Sequence, residues 1–310
     1  VNTRVFVVTG ATGGIGKAVA HELAKTVGTV VMVARDDERG KQAQKEIVSA
    51  TENPNVELQL CDLGNMSSVR NLAMILNNRY EKLDVLVNNA SLYRKDRVVT
   101  VDGFESMFAT NHLGPFLLTY LLLDRLMASD SARIINVTAP STTPMDFDDL
   151  QSGKNFNSLS TFGATKMANL LFTYELARRM ENTGVTVNAV HPGLVRSDLM
   201  KEAALPIRLL GWVLASPPSR AADHIVKLAT APEFEDTTGK FLHNGSAIEP
   251  DSYALDPANQ LRLWEISEKL SRASEAEELG AEYDPTGSVA MFDDRDLPEG
   301  LVRPEDNQNK

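Results

Sequence analysis

Four glycines, at positions 10, 13, 14 and 16, are the first residues of this chain whose spacing implies chemistry. They lie in Thr9-Gly10-Ala11-Thr12-Gly13-Gly14-Ile15-Gly16, between an apolar run and a segment of helical pattern. Glycines there let the backbone turn sharply and approach a pyrophosphate with no Cβ in the way. The helix that follows offers its free N–H groups to the negative charge. Gly10, Thr12, Gly13, Gly14, Ile15 and Gly16 are therefore the expected contacts. Arg35 ends the next apolar run, Val33-Ala34-Arg35. A carboxylate at that place would bind the two ribose hydroxyls of NAD, whereas a guanidinium complements the 2′-phosphate of NADP. The cofactor expected is NADP(H). Further along, Asp62-Leu63 is placed to meet the adenine edge, Asn88-Asn89-Ala90 to pass beneath the cofactor, and His191-Pro192-Gly193 to run beside the nicotinamide.

These segments need a scaffold that brings strand ends together. Short β-branched runs occur at Arg4–Thr9, Thr29–Ala34, Val56–Leu60, Val85–Val87, Arg133–Val137, Val185–Val190 and Lys240–His243. Helical patterns fill the gaps at Gly14–Val27, Asp36–Ala50, Met66–Arg79, Gly103–Met127 and Leu159–Glu181. This alternation predicts an α/β fold, a Rossmann-like, doubly wound, seven-stranded parallel sheet with its ligands at the carboxyl ends of the strands. Residues 1–270 form the single domain. Residues 271–310 carry eleven Asp or Glu against four Lys or Arg, and Pro285, Pro298 and Pro304 break any helix. They read as an acidic C-terminal tail. It is either a solvated end or an arm that docks on a protein partner through Met291-Phe292 and Leu301-Val302.

Composition narrows the function classes. The net charge of −11 argues against a nucleic-acid surface, which needs clustered Lys and Arg. One cysteine, Cys61, leaves no disulfide framework, and histidines 21, 112, 191, 224 and 243 lack metal-ligand spacing. Asp146, Asp148 and Asp149 read as a solvated loop, so no metal is expected. No run approaches the ~18 apolar residues of a membrane span. The compartment stays open: soluble or membrane-peripheral, or organellar after loss of a targeting segment.

Taken together, the glycine loop, Asn88-Asn89-Ala90, Asn111, Lys166 and Pro192-Gly193 resemble the short-chain dehydrogenase/reductase (SDR) superfamily over roughly residues 4–270. Asp102-Gly103-Phe104-Glu105, Asn111-His112-Leu113-Gly114, Phe116 through Leu123 and Ala189-Val190-His191-Pro192-Gly193 are most similar to its retinol-dehydrogenase-like branch, and protochlorophyllide reductases share several of them. The resemblance implies NADP(H) and a small lipophilic alcohol, aldehyde or ketone. It implies a lid from Val195 to Pro218 in which Ser197 reaches the cofactor, and a cofactor contact from Lys166. It also implies either oligomers paired through the helices at Gly103–Met127 and Leu159–Glu181 or, within the retinol-dehydrogenase-like branch, a monomeric or membrane-associated protein.

The family's chemistry uses Asn, Ser, Tyr and Lys. The asparagine matches Asn111 and the lysine Lys166, but the tyrosine position is Phe162 and the serine position Ala139. A phenol moves a proton and a phenyl ring does not. Thr138 or Ser141 are alternative hydroxyls if the loop shifts, and Ser91 stands where a glycine usually ends the Asn-Asn-Ala motif. Three readings follow: a pseudoenzyme with a structural or regulatory task; an oxidoreductase whose acid is displaced to Tyr93, Thr138 or Ser160; or an engineered Ser-to-Ala, Tyr-to-Phe variant.

Overall fold

A computed structural model describes residues 4–195, 199, 202 and 215–272. Eight strands form one sheet: β1 (Arg4–Thr9), β2 (Gly28–Ala34), β3 (Val56–Leu60), β4 (Val85–Asn88), β5 (Arg133–Val137), β6 (Thr186–His191), β7 (Lys240–His243) and β8 (Ser246–Ala247), in the order β3-β2-β1-β4-β5-β6-β7-β8. The first seven pair in parallel. Val5 to Val8 of β1 and Arg133 to Val137 of β5 are buried throughout, as continuous apolar strands are when helices cover both sheet faces.

The seven-stranded expectation is corrected by β8, which pairs antiparallel with β7. Asn244 and Gly245 have φ of 51° and 78°, the left-handed pair that a two-residue hairpin requires. The chain thus folds back one turn after β7.

Helices α1 (Gly14–Ala24), α2 (Asp37–Thr51) and α3 (Met66–Arg79) lie close to their expected bounds. Asp36 caps α2 by accepting from the Arg39 N–H at 2.8 Å. The long helix expected at Gly103–Met127 is instead broken into a short turn α4 (Ser106–Phe108), a π-helical stretch at Ala109–Leu113, α5 (Gly114–Leu121) and α6 (Leu123–Met127). Pro115 explains the break. It has no N–H for the Asn111 carbonyl, and its ring crowds that carbonyl outward. The Gly114 N–H accordingly reaches back to Ala109.

The helix expected at Leu159–Glu181 is α7 (Ser158–Arg179), capped by Asn157. Two further long helices close the fold: α8 (Pro218–Thr230) and α10 (Pro257–Ser271), with the short α9 (Ser252–Leu255) before the latter. One face of the sheet carries α3, α5, α7 and α10 over a core that includes Phe116, Phe172 and Trp264. The other carries α1, α2 and α8 over Phe6, Val8 and Ile225.

Helix α10 lies against α5 and α7. The Trp264 ring meets Phe116 edge-on at 4.9 Å and stacks on Phe172 at 6.1 Å. The two helices expected to pair between subunits therefore bury a shared face within their own chain. Arg70 caps the end of α10 through the carbonyls of Ser271 and Arg272. Arg196, Ser197 and most of the expected lid lie outside the described residues, as does the acidic tail from residue 273 onward.

Candidate active site

Strand order reverses between β1 and β4, and the crevice at their carboxyl ends is where an open α/β sheet holds its ligand. A cleft of about 290 Å³ opens there. It brings together Gly10, Thr12, Gly13, Gly14, Ile15, Arg35, Asp62, Leu63, Asn89 and Ala90, ten of the residues singled out in the sequence. Gly10 has φ of +66°, and a Cβ on it would lie 2.9 Å from the Ala90 Cα. A Cβ on Gly16 would fall 2.3 Å from the Gly10 carbonyl oxygen. Both positions demand glycine because α1, β1 and the β4 loop meet there with no room between them.

Asn89 has a scaffolding task as well as a place in the cleft wall. Its side-chain amide donates to the Thr9 carbonyl at 2.9 Å, and the Thr9 hydroxyl accepts from the Asn89 and Ala90 N–H groups. The loop after β4 is thereby pinned to β1. Asp62 accepts from the Gly64 N–H at 2.9 Å, which closes the turn after β3.

Arg39 is a residue the sequence reading missed. It lines the cleft with Arg35, and its position in the first turn of α2 was the available signal. Neither guanidinium has an ion-pair partner among the described residues. The glycine cradle fits the pyrophosphate of a nicotinamide dinucleotide, with this unpaired basic corner at the same cleft. Pro192 and Gly193 line a neighbouring cavity with His191. Val195 bridges to Ser216 at the base of the lid segment.

The Lys166 ammonium is buried and donates to the Ser91 hydroxyl at 2.8 Å. Burial pulls its pKa down to about 8. Its nitrogen stands 5.0 Å from the centroid of the Phe162 ring, a cation–π contact. Phe162 in turn meets Tyr93 edge-to-face at 5.7 Å and, like Leu92, Phe156 and Leu199, packs against the buried pair Tyr93 and Met107. Among the described residues the one hydroxyl of this cluster is that of Tyr93.

The alternative hydroxyls are engaged. Tyr93 donates to Ser158 at 2.9 Å, Thr138 to the Lys166 carbonyl at 3.0 Å, and Ser141 to the Gly163 carbonyl at 2.8 Å. Ser160 is exposed. Ala139, just past β5, is half-buried and carries no polar atom beyond its backbone. Asn111 sits in the π-helical stretch, which turns its side chain toward the loop after β4. Its oxygen accepts from the Leu92 N–H at 2.6 Å, and its amide donates to the Leu92 carbonyl and the Thr165 hydroxyl. The structure thus gathers Asn111, Lys166 and Phe162 around the Ser91–Leu92 segment. Ser91 is the unforeseen member; its place beside Lys166 follows from no spacing in the sequence.

Among the described residues, no group of His, Cys, Asp or Glu is arranged to hold a metal, and no helix is long and apolar enough to cross a membrane.

Comparison with known proteins agrees with this geometry. The family model described as short chain dehydrogenase matches residues 4–206. Retinol dehydrogenase 13 of Mus musculus is 40% identical over 278 residues, covering 86% of this chain and 83% of its own length. Among solved structures, an uncharacterized protein from Mycobacterium Paratuberculosis superposes with a TM-score of 0.70 at 30% identity, covering 87% of this chain and 93% of the other. A metagenomic short-chain oxidoreductase in complex with NADP gives 0.59 at 25% identity, covering 80% and 97%. The chain belongs to the short-chain dehydrogenase/reductase family, in its retinol-dehydrogenase-like branch.

Proposed function

We propose that this chain binds NADP(H) at the β1–β4 crevice and lacks the tyrosine-driven proton transfer of its family, serving as a pseudoenzyme with a structural or regulatory task. The observation that carries this reading is Phe162. Its ring lies one helical turn before Lys166, has no proton to give, and packs against Tyr93 and Met107. When bound, the nicotinamide supplies or accepts a hydride. The chain's own residues then have to manage the proton at the substrate oxygen, and neither Phe162 nor Ala139 has a group for it. General acid–base catalysis contributes about 10²–10⁴-fold, so its loss leaves little ordinary turnover.

The preference for NADP(H) rests on Arg35 and Arg39, two cations free to meet a 2′-phosphate. The acidic segment 271–310 is the proposed arm for a protein partner. Fluorescence titration with NADPH and NADH tests the cofactor reading, which fails if NADH binds as tightly. Steady-state assay of retinol with NADP⁺, and of medium-chain aldehydes with NADPH, tests the rest. Turnover near the enzyme median of about 10 s⁻¹ would refute the pseudoenzyme.

A second reading is favoured by one contact, that of Ser91 with Lys166. Here a hydroxyl is gained beside the lysine while the tyrosine hydroxyl is lost. Hydride arriving at a carbonyl carbon leaves an alkoxide, to which Ser91 gives its proton while Lys166 resupplies the serine. On this reading the chain is an oxidoreductase acting on a lipophilic alcohol, aldehyde or ketone, and Ser91→Ala abolishes whatever turnover is measured.

A further inference from the structure

The carboxyl ends of β6 and β7 and the first turn of α8 enclose a second cavity of about 340 Å³, apart from the nucleotide cleft and within the size range of ligand pockets. Its polar lining is His191, Ser216, Arg220, His224, His243 and Asn244. Among the described residues no carboxylate lines it, in a chain whose net charge is −11. Arg220 and His224 stand four residues apart on α8 and so share one helix face. The Arg220 guanidinium has no ion-pair partner among the described residues.

The histidines are organised around this space. His191 and His243 stack with ring centroids 4.7 Å apart and planes at 30°. His243 Nδ1 lies 3.0 Å from the His191 carbonyl and donates to it, which leaves Nε2 to accept from the Asn244 amide, also at 3.0 Å. His191 Nδ1 is buried and has no hydrogen-bond partner among the described residues. A buried polar atom left alone is costly, so a partner from outside the described protein atoms is expected.

We propose that this cavity binds an oxyanion, the phosphate or carboxylate of a small ligand. Arg220 offers the planar fork that recognises such groups, and the Ser216 hydroxyl, the Asn244 amide and the imidazoles of His191 and His224 add further donors. A cation is disfavoured because Arg220 repels it, and because His191 and His243 stack instead of converging on a point. Pro192 and Gly193 line the same cavity, so the anion lies behind the loop after β6. The proposal goes beyond the cofactor reading and stands without it.

Calorimetric titration of the full chain with inorganic phosphate, and separately with acetate, tests it. The expected result is saturable anion binding, weakened about tenfold or more by Arg220→Gln and by His224→Gln, with NADPH binding unchanged in both variants. Arg220 is exposed, so its replacement leaves the core intact. Tighter phosphate than acetate identifies a phosphorylated ligand; the reverse identifies a carboxylate. Absence of binding by both anions at tens of millimolar overturns the proposal, as does binding that survives both substitutions. Anion binding abolished by saturating NADPH also overturns it, since the anion then occupies the cofactor's own phosphate site. Loss of NADPH binding with anion binding intact would count against the cofactor reading alone.

Discussion

Lys166 gives its proton-bearing nitrogen to Ser91 at 2.8 Å, on the same side of α7 from which Phe162 presents a ring without a hydroxyl. A buried ammonium needs a hydrogen-bond acceptor, and in this chain a serine in the loop after β4 supplies it. Lys166 is therefore held in place beside a ring that bears no hydroxyl.

Restoring that group should restore chemistry. Phe162→Tyr with Ala139→Ser places a phenol beside the Lys166 charge, which lowers its pKa, and returns a donor for the substrate oxygen. NADPH-dependent aldehyde reduction is expected to rise by about 10²-fold or more over the unmodified chain. Adding Ser91→Gly frees the ammonium and should raise it further. A double variant that binds NADPH and stays as slow as the parent would count against the assignment of these two positions.

Arg35→Asp exchanges a phosphate partner for a ribose partner at the end of β2. NADPH binding should weaken by about 1.5–3 kcal/mol, the worth of a charged hydrogen bond, while NADH binding holds or improves. Arg39→Ala should weaken NADPH in the same direction and leave NADH unchanged. Parallel titrations with both cofactors measure this, and equal losses for both would remove the 2′-phosphate from the argument.

His112 is fully buried among Phe108, Phe116 and Phe172, with Nε2 2.7 Å from the Ser267 hydroxyl. Burial pulls its pKa down to about 3. The unfolded chain takes up this proton near the ordinary 6.5 and the folded chain does not. Stability from this group is thus complete above pH 6.5 and declines as pH falls from there toward 3, by at most about 1.4 kcal/mol per pH unit. Urea unfolding at pH 7.0 and 5.5 should show the decline, and His112→Asn should flatten it. Glu105 and Asp102, whose pKa values burial raises, act in the opposite direction, so the difference between parent and variant is the quantity to compare.

Trp264 fastens α10 over α5 and α7, with the Arg179 guanidinium 4.1 Å above its ring. Trp264→Ala should cost about 3–5 kcal/mol of unfolding free energy. It should also uncover part of the face between α5 and α7, read as a concentration-dependent rise in mass by light scattering. Loss of stability without any change in mass would mean that the uncovered face has no affinity for another copy.

The nucleotide cleft was written in the sequence because its demands are local. Gly10 needs a left-handed φ, Gly16 a missing Cβ, and Arg35 a place at a strand end, and each follows from residues within one βα unit. That Phe162 and Ala139 bear no side-chain oxygen was legible too, since a side chain's chemistry is fixed by its type. The antiparallel β8 had a local signal too, in Asn244-Gly245. What tertiary structure alone decided are relationships across long stretches of chain. Ser91 meets Lys166 from 75 residues away, and the Asn111 amide reaches the Thr165 hydroxyl across 54. Helix α10 claims the face of α5 and α7, and β6, β7 and α8 collect histidines scattered along the sequence into one cavity. Spacing reports which groups share a helix face or a strand end. Which distant groups come within hydrogen-bond reach depends on how the layers stack, and that is set by the whole core at once.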